Sequence, residues 1–213
     1  MEFWNKRREP HLEFASLHEA VEAGNYAAVH GFLRNGIDAN AQDGRDATAL
    51  HIAAACGRVE IGKLLIEYGA DVDFLIDEGG TPLMAACAFS QAGMVEFLIS
   101  KGAQPNKKGE GGRSPLQCSF QPDVIAVDEQ LECIDLLVKS GAIVNDRTDS
   151  GNTPLMTAAW FGNREAVEEL LRCGADAKLR NNGGETAAML AFERGHDELA
   201  KFLKQSAEST GER

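Results

Sequence analysis

The chain has 213 residues, of which 44% are hydrophobic, and 33 acidic side chains against 21 Lys and Arg give a formal net charge of −12. Such a surface repels phosphate backbones and anionic membranes, so we expect neither nucleic acid nor a membrane as the partner. The charge favours a protein partner with a basic patch, and the alternative is that the acid excess only keeps the chain in solution.

Residues 1–11 form an N-terminal extension that precedes any regular pattern. The basic cluster Lys6-Arg7-Arg8 is too short to predict targeting, and the apolar run of a secretory signal does not follow it. No other run of the sequence approaches the ~18 apolar residues of a membrane span. We therefore expect a cytoplasmic protein in solution.

A short opening of the type Thr-x-Leu then recurs along the chain. Its first residue, with a degenerate copy at the start, stands at Ala15, Thr48, Thr81, Ser114, Thr153 and Thr186. The steps are 33 residues, except for one of 39 between Ser114 and Thr153. Glycines recur about nine and twenty-one residues after these openings. Because Thr favours helix starts and Gly favours helix ends, each copy predicts two short helices.

The clearest copies of the opening are residues 48–54 (TALHIAA) and 153–159 (TPLMTAA). By these motifs and the 33-residue period the chain resembles the ankyrin-repeat family. The resemblance implies an all-α ankyrin-repeat solenoid of helix-loop-helix units, with hairpin-like connecting loops and a concave binding face. Residues 12–206 would form a single array, followed by a C-terminal tail at 207–213. The six repeats are placed near 12–44, 45–77, 78–110, 111–149, 150–182 and 183–206.

The fourth repeat departs most from the pattern. Residues 121–130 carry its six extra residues, and Pro122 is expected to end its first helix early. The insertion would then lengthen the turn between the two helices. It either contacts a partner or only packs against the array.

Residues suited to catalysis or metal binding are scattered along the chain. The five cysteines include no C-x-x-C pair, and we interpret them as structural thiols, with Cys87, Cys118 and Cys133 on helices. His51 holds the fourth position of an opening, where the family resemblance implies a hydrogen bond between repeats. The segment 109–112 (GEGG) lacks the ending of a phosphate loop. We expect no cofactor, no metal and no enzymatic activity.

Several large apolar side chains stand where stacking does not require them. Seven and eight residues past the openings, where the first helix ends on the concave side, the sequence has Phe89, Trp160 and Phe161. Aromatic groups are enriched at the energetic centres of interfaces, so we predict that they bind a partner. The alternative for Trp160 and Phe161 is packing against the insertion. The predicted partner-binding residues at the hairpin tips are Phe74, Leu75, Ile76, Arg147, Asp149, Arg180 and Asn181.

The leading hypothesis for function is a non-catalytic protein–protein interaction module, an adaptor or inhibitor, that is expected to be a monomer. One alternative is a protein that neutralises a toxin or enzyme, or a host-directed bacterial ankyrin protein. A lesser alternative is a structural or assembly factor. The apolar loop at residues 74–76 has two equally supported interpretations. It contacts a partner, or one of its residues packs between adjacent hairpins.

Overall fold

In the computed structural model, the described residues are 14–77, 79–120 and 127–209. These ranges contain twelve α-helices, and the β-structure within them is limited to one isolated bridge between Gln42 and Thr48. The Lys6-Arg7-Arg8 cluster and residues 121–126 of the predicted insertion lie outside the described residues. The helices are α1 (Leu17–Glu22), α2 (Tyr26–Arg34), α3 (Ala49–Ala55), α4 (Val59–Glu67), α5 (Pro82–Ala88), α6 (Ala92–Ser100), α7 (Pro115–Cys118), α8 (Val127–Lys139), α9 (Pro154–Trp160), α10 (Arg164–Arg172), α11 (Ala187–Glu193) and α12 (Asp197–Ser209).

The odd-numbered helices begin at the predicted openings. The hydroxyls of Thr81, Thr153 and Thr186 each accept a hydrogen bond of 3.3–3.4 Å from the backbone N–H three residues later. Each hydroxyl thereby satisfies one of the free N–H groups at a helix start. In the first repeat the cap is Ser16, one residue after the degenerate marker Ala15, whose side chain has no oxygen that can accept this bond.

The turn between the two helices of a repeat needs a left-handed residue. Gly57 and Gly162 supply it with φ of 64° and 70°. These glycines also leave room for the next repeat, since a Cβ at Gly57 would overlap Gln91 and one at Gly162 would overlap the ring of His196. In the third repeat Ser90 takes this place at φ 53°, and its buried hydroxyl has no hydrogen-bond partner among the described residues.

The helices form two layers. The odd-numbered helices α1 to α11 stack on one another in chain order, the even-numbered helices α2 to α10 do the same, and the two helices of each repeat pack together. The apolar core lies between the layers. It is built by leucines two residues past the openings, which are all buried: Leu17, Leu50, Leu83, Leu116 and Leu155. The all-α solenoid predicted from the period is confirmed, and its repeats are stabilised by their neighbours.

Side-chain amides also join consecutive repeats, a role that the sequence analysis did not assign. The Nδ2 of Asn40 donates to the Gly69 carbonyl at 2.9 Å, and its Oδ1 accepts from the backbone N–H two residues further on at 2.8 Å. Asn106 and Asn145 make the same pair of bonds to the repeats that follow them. In the second repeat Asp73 stands at this position and accepts bonds from the next repeat.

The first helix of the fourth repeat is short, as expected. The helix α7 has four residues and ends at Cys118, ahead of Pro122, which lies outside the described residues. Gln130 is fully buried beyond it. Its Nε2 donates to the Ser119 carbonyl at 2.7 Å, and its Oε1 accepts from the Asn163 amide at 2.7 Å. One amide therefore connects the irregular turn to the fifth repeat.

Candidate partner-binding groove

Two cavities open on the face formed by the odd-numbered helices and the loops that precede them. We call this face the inner groove. The first cavity lies mainly against α3 and α5, and the second lies against α7, α9 and α11. Each encloses about 310 Å³.

Small apolar side chains create the first cavity. Ala55 of α3 and Ala85 and Ala88 of α5 are half-buried and form its floor. Ile76 and Met84 form apolar walls. A methyl group at each floor position leaves space that a larger side chain would fill, so the cavity is a depression suited to an apolar group.

His51 stands at the wall of the first cavity, with both ring nitrogens engaged. Its Nδ1 lies 2.8 Å from the Thr48 hydroxyl, and its Nε2 lies 3.0 Å from the Gly80 carbonyl of the next repeat. Since a carbonyl only accepts, Nε2 carries the proton and Nδ1 accepts from the hydroxyl. Burial lowers the pKa of His51. The predicted hydrogen bond between repeats is confirmed, and the ring is occupied by structural contacts.

The second cavity is more polar than the first. Trp160, Phe161 and Met156 provide its apolar side. The Arg194 guanidinium lies 4.3 Å from the centre of the Trp160 ring, which is a cation–π contact. On the polar side, Asn181 donates through Nδ2 to the side chains of Asn152 at 2.8 Å and Glu185 at 3.0 Å.

Arg113 lies where the two cavities meet. Its side chain lines both of them, and also a shallower depression beside Thr148 and Asn152. The side chain is exposed, and within the described parts of the chain its guanidinium has neither a hydrogen bond nor an ion pair. Burial raises the pKa of the Cys118 thiol on the floor of the first cavity, and the nearby Arg113 charge opposes that rise. Among the described residues, the groove therefore has a cation without a partner at its middle.

The predicted apolar residues divide between these cavities and the surrounding surface. Ile76 lines the first cavity, and Trp160 and Phe161 line the second. Leu75 and Phe89 are exposed by 46% and 63% but line neither.

Phe74 also lies outside the two cavities. Its ring meets the ring of His51 edge-on at 6.3 Å between centroids. In this loop, Ile76 is therefore turned to a cavity, Leu75 to solvent and Phe74 to the ring of His51.

The predicted polar residues at the hairpin tips connect adjacent loops. The Arg147 guanidinium donates to the Arg180 carbonyl, and the Asp149 carbonyl accepts from the Asn182 amide at 2.9 Å. Asn181 is the predicted polar residue that lines a cavity, the second one. Arg147, Asp149 and Arg180 line neither of the two cavities.

The sequence analysis missed Arg113 and the alanines of the first cavity. A signal for Arg113 was present, because the residue immediately before each of the last five openings lines at least one of the two cavities. This row is Ala47, Gly80, Arg113, Asn152 and Glu185. In this row Arg113 is a cation, Glu185 is a carboxylate, and the other three residues are small or neutral.

Two of the cysteines, Cys87 and Cys133, are buried thiols. Burial raises the pKa of Cys87 well above the ordinary thiol value and that of Cys133 to about 12, so both are protonated. Cys56 is exposed and is not one of the buried thiols.

Among the described residues, no group of three or more His, Cys, Asp or Glu side chains is arranged to hold a metal ion. Across the same residues, no helix has both the length and the apolar character needed to span a membrane.

Comparison with known proteins agrees with this architecture. The sequence model of a family described as Ankyrin repeats (3 copies) matches residues 17–109 and 123–212. Human Ankyrin repeat and SOCS box protein 16 is 36% identical over 139 residues, which are 65% of this chain and 29% of that protein. Human Neurogenic locus notch homolog protein 1 is 34% identical over 78% of this chain and 6% of its own length.

A nematode relative shows the same partial coverage. The Ankyrin repeat and KH domain-containing protein mask-1 of Caenorhabditis elegans is 32% identical over 162 residues, which are 75% of this chain and 6% of that protein. The chain thus spans between 6% and 29% of the length of these three relatives.

Proposed function

Because the chain belongs to the ankyrin-repeat family, we propose that it is a non-catalytic interaction module that binds a partner protein in the inner groove. Ankyrin repeats are protein–protein interaction modules. The observation that supports this use of the groove is the pair of adjoining cavities, one apolar and one mixed, on a single face. A preformed surface of this kind loses little conformational freedom when it binds.

Apolar contacts supply most of the affinity in this proposal. A bulky side chain of the partner enters the first cavity above Ala85 and Ala88, and another packs beside Trp160 and Phe161. Aromatic side chains in partly buried pockets are typical centres of binding energy. Phe89, with 63% of its surface exposed, extends the apolar contact along the groove.

The hairpin tips form the rim of the interface. Of the predicted tip residues, Ile76 lines the first cavity and Asn181 lines the second, and the others extend the rim outside both cavities. The bonds between adjacent tips hold this rim in one shape. We place the protein in the cytoplasm as a monomer, a location that suits its free thiols.

A charge placed in the first cavity tests the proposal. Ala88→Glu puts a carboxylate on the apolar floor, whereas Ala27→Glu makes the same change at an exposed site on α2 of the other layer. Each tagged variant captures proteins from the source cells, and the captured proteins are quantified by mass spectrometry. We expect Ala88→Glu to lose a defined set of proteins about 10-fold or more while Ala27→Glu retains them.

The double substitution Trp160→Ala with Phe161→Ala provides an independent measurement at the second cavity. It should deplete the same proteins, since one partner spans both cavities. Circular dichroism and thermal melting confirm that each variant is folded. Equal capture by the wild type and by both groove variants would disprove the groove assignment.

A further inference from the structure

We propose that the inner groove binds an extended segment of its partner in which an acidic side chain lies two or three residues from a bulky apolar one, and that Arg113 anchors the acid. This inference rests on the proposed function and names the chemistry of the partner. The apolar side chain enters the first cavity. The carboxylate pairs with the Arg113 guanidinium at the border between the cavities.

The position of Arg113 makes it accessible from the whole groove. It belongs to the row of residues that precede the openings, and its neighbours in that row are Gly80 and Asn152, which are small or neutral. Arg113 borders both cavities, whereas Gly80 borders the first and Asn152 the second. A ligand that occupies either cavity therefore meets this guanidinium.

Nearby cations are already used within the protein. Lys107 donates to the Asp73 carbonyl at 2.7 Å, and Lys108 pairs with Asp146. Arg147 donates to a carbonyl of the neighbouring loop. Arg113 differs because no described residue accepts a hydrogen bond from its guanidinium or forms an ion pair with it. Its five donors remain available to a ligand.

Among the described residues, two carboxylates line the groove, and neither pairs with Arg113. Glu110 borders the first cavity, and no ion pair with Arg113 forms within 4 Å. Glu185 borders the second cavity and accepts a bond from Asn181. These two charges disfavour a phosphate, which carries about −1.5 to −2 at neutral pH, more than they disfavour a single carboxylate. Arg–carboxylate pairing is bidentate and planar, which suits an Asp or Glu of the partner.

The net charge of −12 does not prevent this local pairing. Exposed charges more than about 8 Å apart are largely screened at physiological salt, whereas a contact pair is not. The long-range repulsion slows the approach of an acidic partner, and the groove contacts then hold it. A basic patch elsewhere on the partner is compatible with an acidic residue in the bound segment.

The spacing of the two anchors follows from the size of the first cavity. A sphere of 310 Å³ is about 8 Å across, which is the length of two to three residues of extended chain at ~3.3 Å each. Since Arg113 forms part of the cavity wall, a carboxylate two or three residues from the inserted side chain reaches it. An acid directly next to the apolar residue lies only ~3.3 Å along an extended chain, which is short of this span.

A displayed library of random 12-residue peptides tests this pattern directly on the full chain. The library is selected separately on the wild type, Arg113→Gln and Arg113→Glu. We expect wild-type binders to be enriched in Asp or Glu two or three residues from a bulky apolar residue. Arg113→Gln should lose the acidic enrichment but keep the apolar one, and Arg113→Glu should select Lys or Arg instead.

Synthetic versions of the selected peptides then give affinities by fluorescence anisotropy. We expect Arg113→Gln to weaken binding about 10- to 100-fold. Arg113→Lys should recover only part of it because it loses the bidentate geometry. Arg45→Gln, an exposed Arg of another connecting loop that is paired with Asp43, should leave binding unchanged.

The outcomes test the role of Arg113 separately from the assignment of the groove. If wild-type peptides bind Arg113→Gln equally well but lose affinity for Ala88→Glu, the acidic anchor is wrong and the groove stands. If neither change weakens them, the peptides bind elsewhere and both the anchor and the groove assignment are wrong. If the library gives no peptide that binds the wild type, the proposal that the groove binds an extended acidic segment is wrong. The capture experiment would then have to identify a folded partner.

Discussion

The fourth and fifth repeats pack in the same array through different side chains. The fifth has a seven-residue first helix, α9, whose Leu155 and Ala158 are fully buried. The fourth has a four-residue first helix and two buried amides, Gln117 and Gln130. Apolar contact, which is not directional, holds the regular repeat. In the irregular one, buried apolar side chains such as Leu116 are supplemented by hydrogen bonds with defined partners.

This difference shows how an array accepts an insertion without losing its stacking. A short first helix frees backbone groups, such as the Ser119 carbonyl that Gln130 satisfies. A buried polar group without a partner costs free energy. The amide that compensates for it must therefore lie where it can reach that group. The regular repeat needs only side chains of the right volume and polarity.

The largest effect is expected from an apolar deletion in the regular repeat. Leu155→Ala removes a fully buried side chain and should lower the free energy of unfolding by about 2–5 kcal/mol, through lost transfer free energy and a new cavity. Urea unfolding followed by circular dichroism measures the change. Leu171→Ala, at a half-buried site on α10, is the control and should cost clearly less. A Leu155→Ala cost below that of the control would contradict this account of the fifth repeat.

A smaller loss is expected when the amide of the irregular repeat is removed. Gln130→Met keeps the side-chain length but leaves the Ser119 carbonyl and the Asn163 amide without their partner, at a cost of about 1–3 kcal/mol. Gln91→Met, on an inter-helix turn where the amide bond is exposed, should stay within about 0.5 kcal/mol of the wild type. Combining Gln130→Met with Asn163→Ala should show non-additive losses, because the two side chains share a bond. Strict additivity would mean that this bond does not stabilise the fourth repeat.

The amides between repeats should each contribute less. Asn106→Ala removes two bonds to the fourth repeat and Asn145→Ala removes two bonds to the fifth, so each should cost about 1 kcal/mol. Hydrogen exchange should accelerate at the Ile143 amide in the first variant and at the Asp176 amide in the second. Faster exchange at both amides in both variants would show that the two junctions do not act separately.

The smallest expected effect is on the pH dependence of stability. It is tested by comparing His51 with Gln117, which holds the same position in the fourth repeat. Burial lowers the folded pKa of His51 below the unfolded value of about 6.5, so its stabilising contribution is complete above that pH and declines as the pH falls toward the folded pKa. Gln117 Nε2 donates to the Asn152 carbonyl at 2.8 Å, the counterpart of the bond from His51 to Gly80. His51→Gln should keep that bond and reduce the loss of stability between pH 7 and pH 5. Thermal melts at both pH values measure it, and an unchanged acid sensitivity would assign that sensitivity to other groups.

The sequence predicted the repeat architecture well because its signals are local. Thr81 and Thr153 start helices through bonds to their own third neighbours, and Gly57 and Gly162 allow left-handed turns. The period also located the irregular repeat. In the first repeat, where the opening is degenerate, the helix cap is Ser16, one residue after the marker Ala15.

The groove was predicted only in part. Trp160 and Phe161 stand out by size, which led to the second cavity. The first cavity is a space left by small side chains such as Ala85 and Ala88, and small side chains also serve ordinary stacking. The pairing of Gln130 with Asn163 joins residues 33 positions apart, and Gln130 stands at the end of the insertion that shifts the pattern.

The sequence alone determined the repeat period, the helix starts and turns, and the all-α array, because these depend on bonds within a few residues and on a repeating apolar pattern. The tertiary structure decided where the empty spaces lie and which amides join the fourth and fifth repeats. It also decided that Arg113 has no partner among the described residues while neighbouring cations are engaged. The physical reason is that cavities and unpaired charges are properties of several repeats together. No single repeat contains the side chains that surround them.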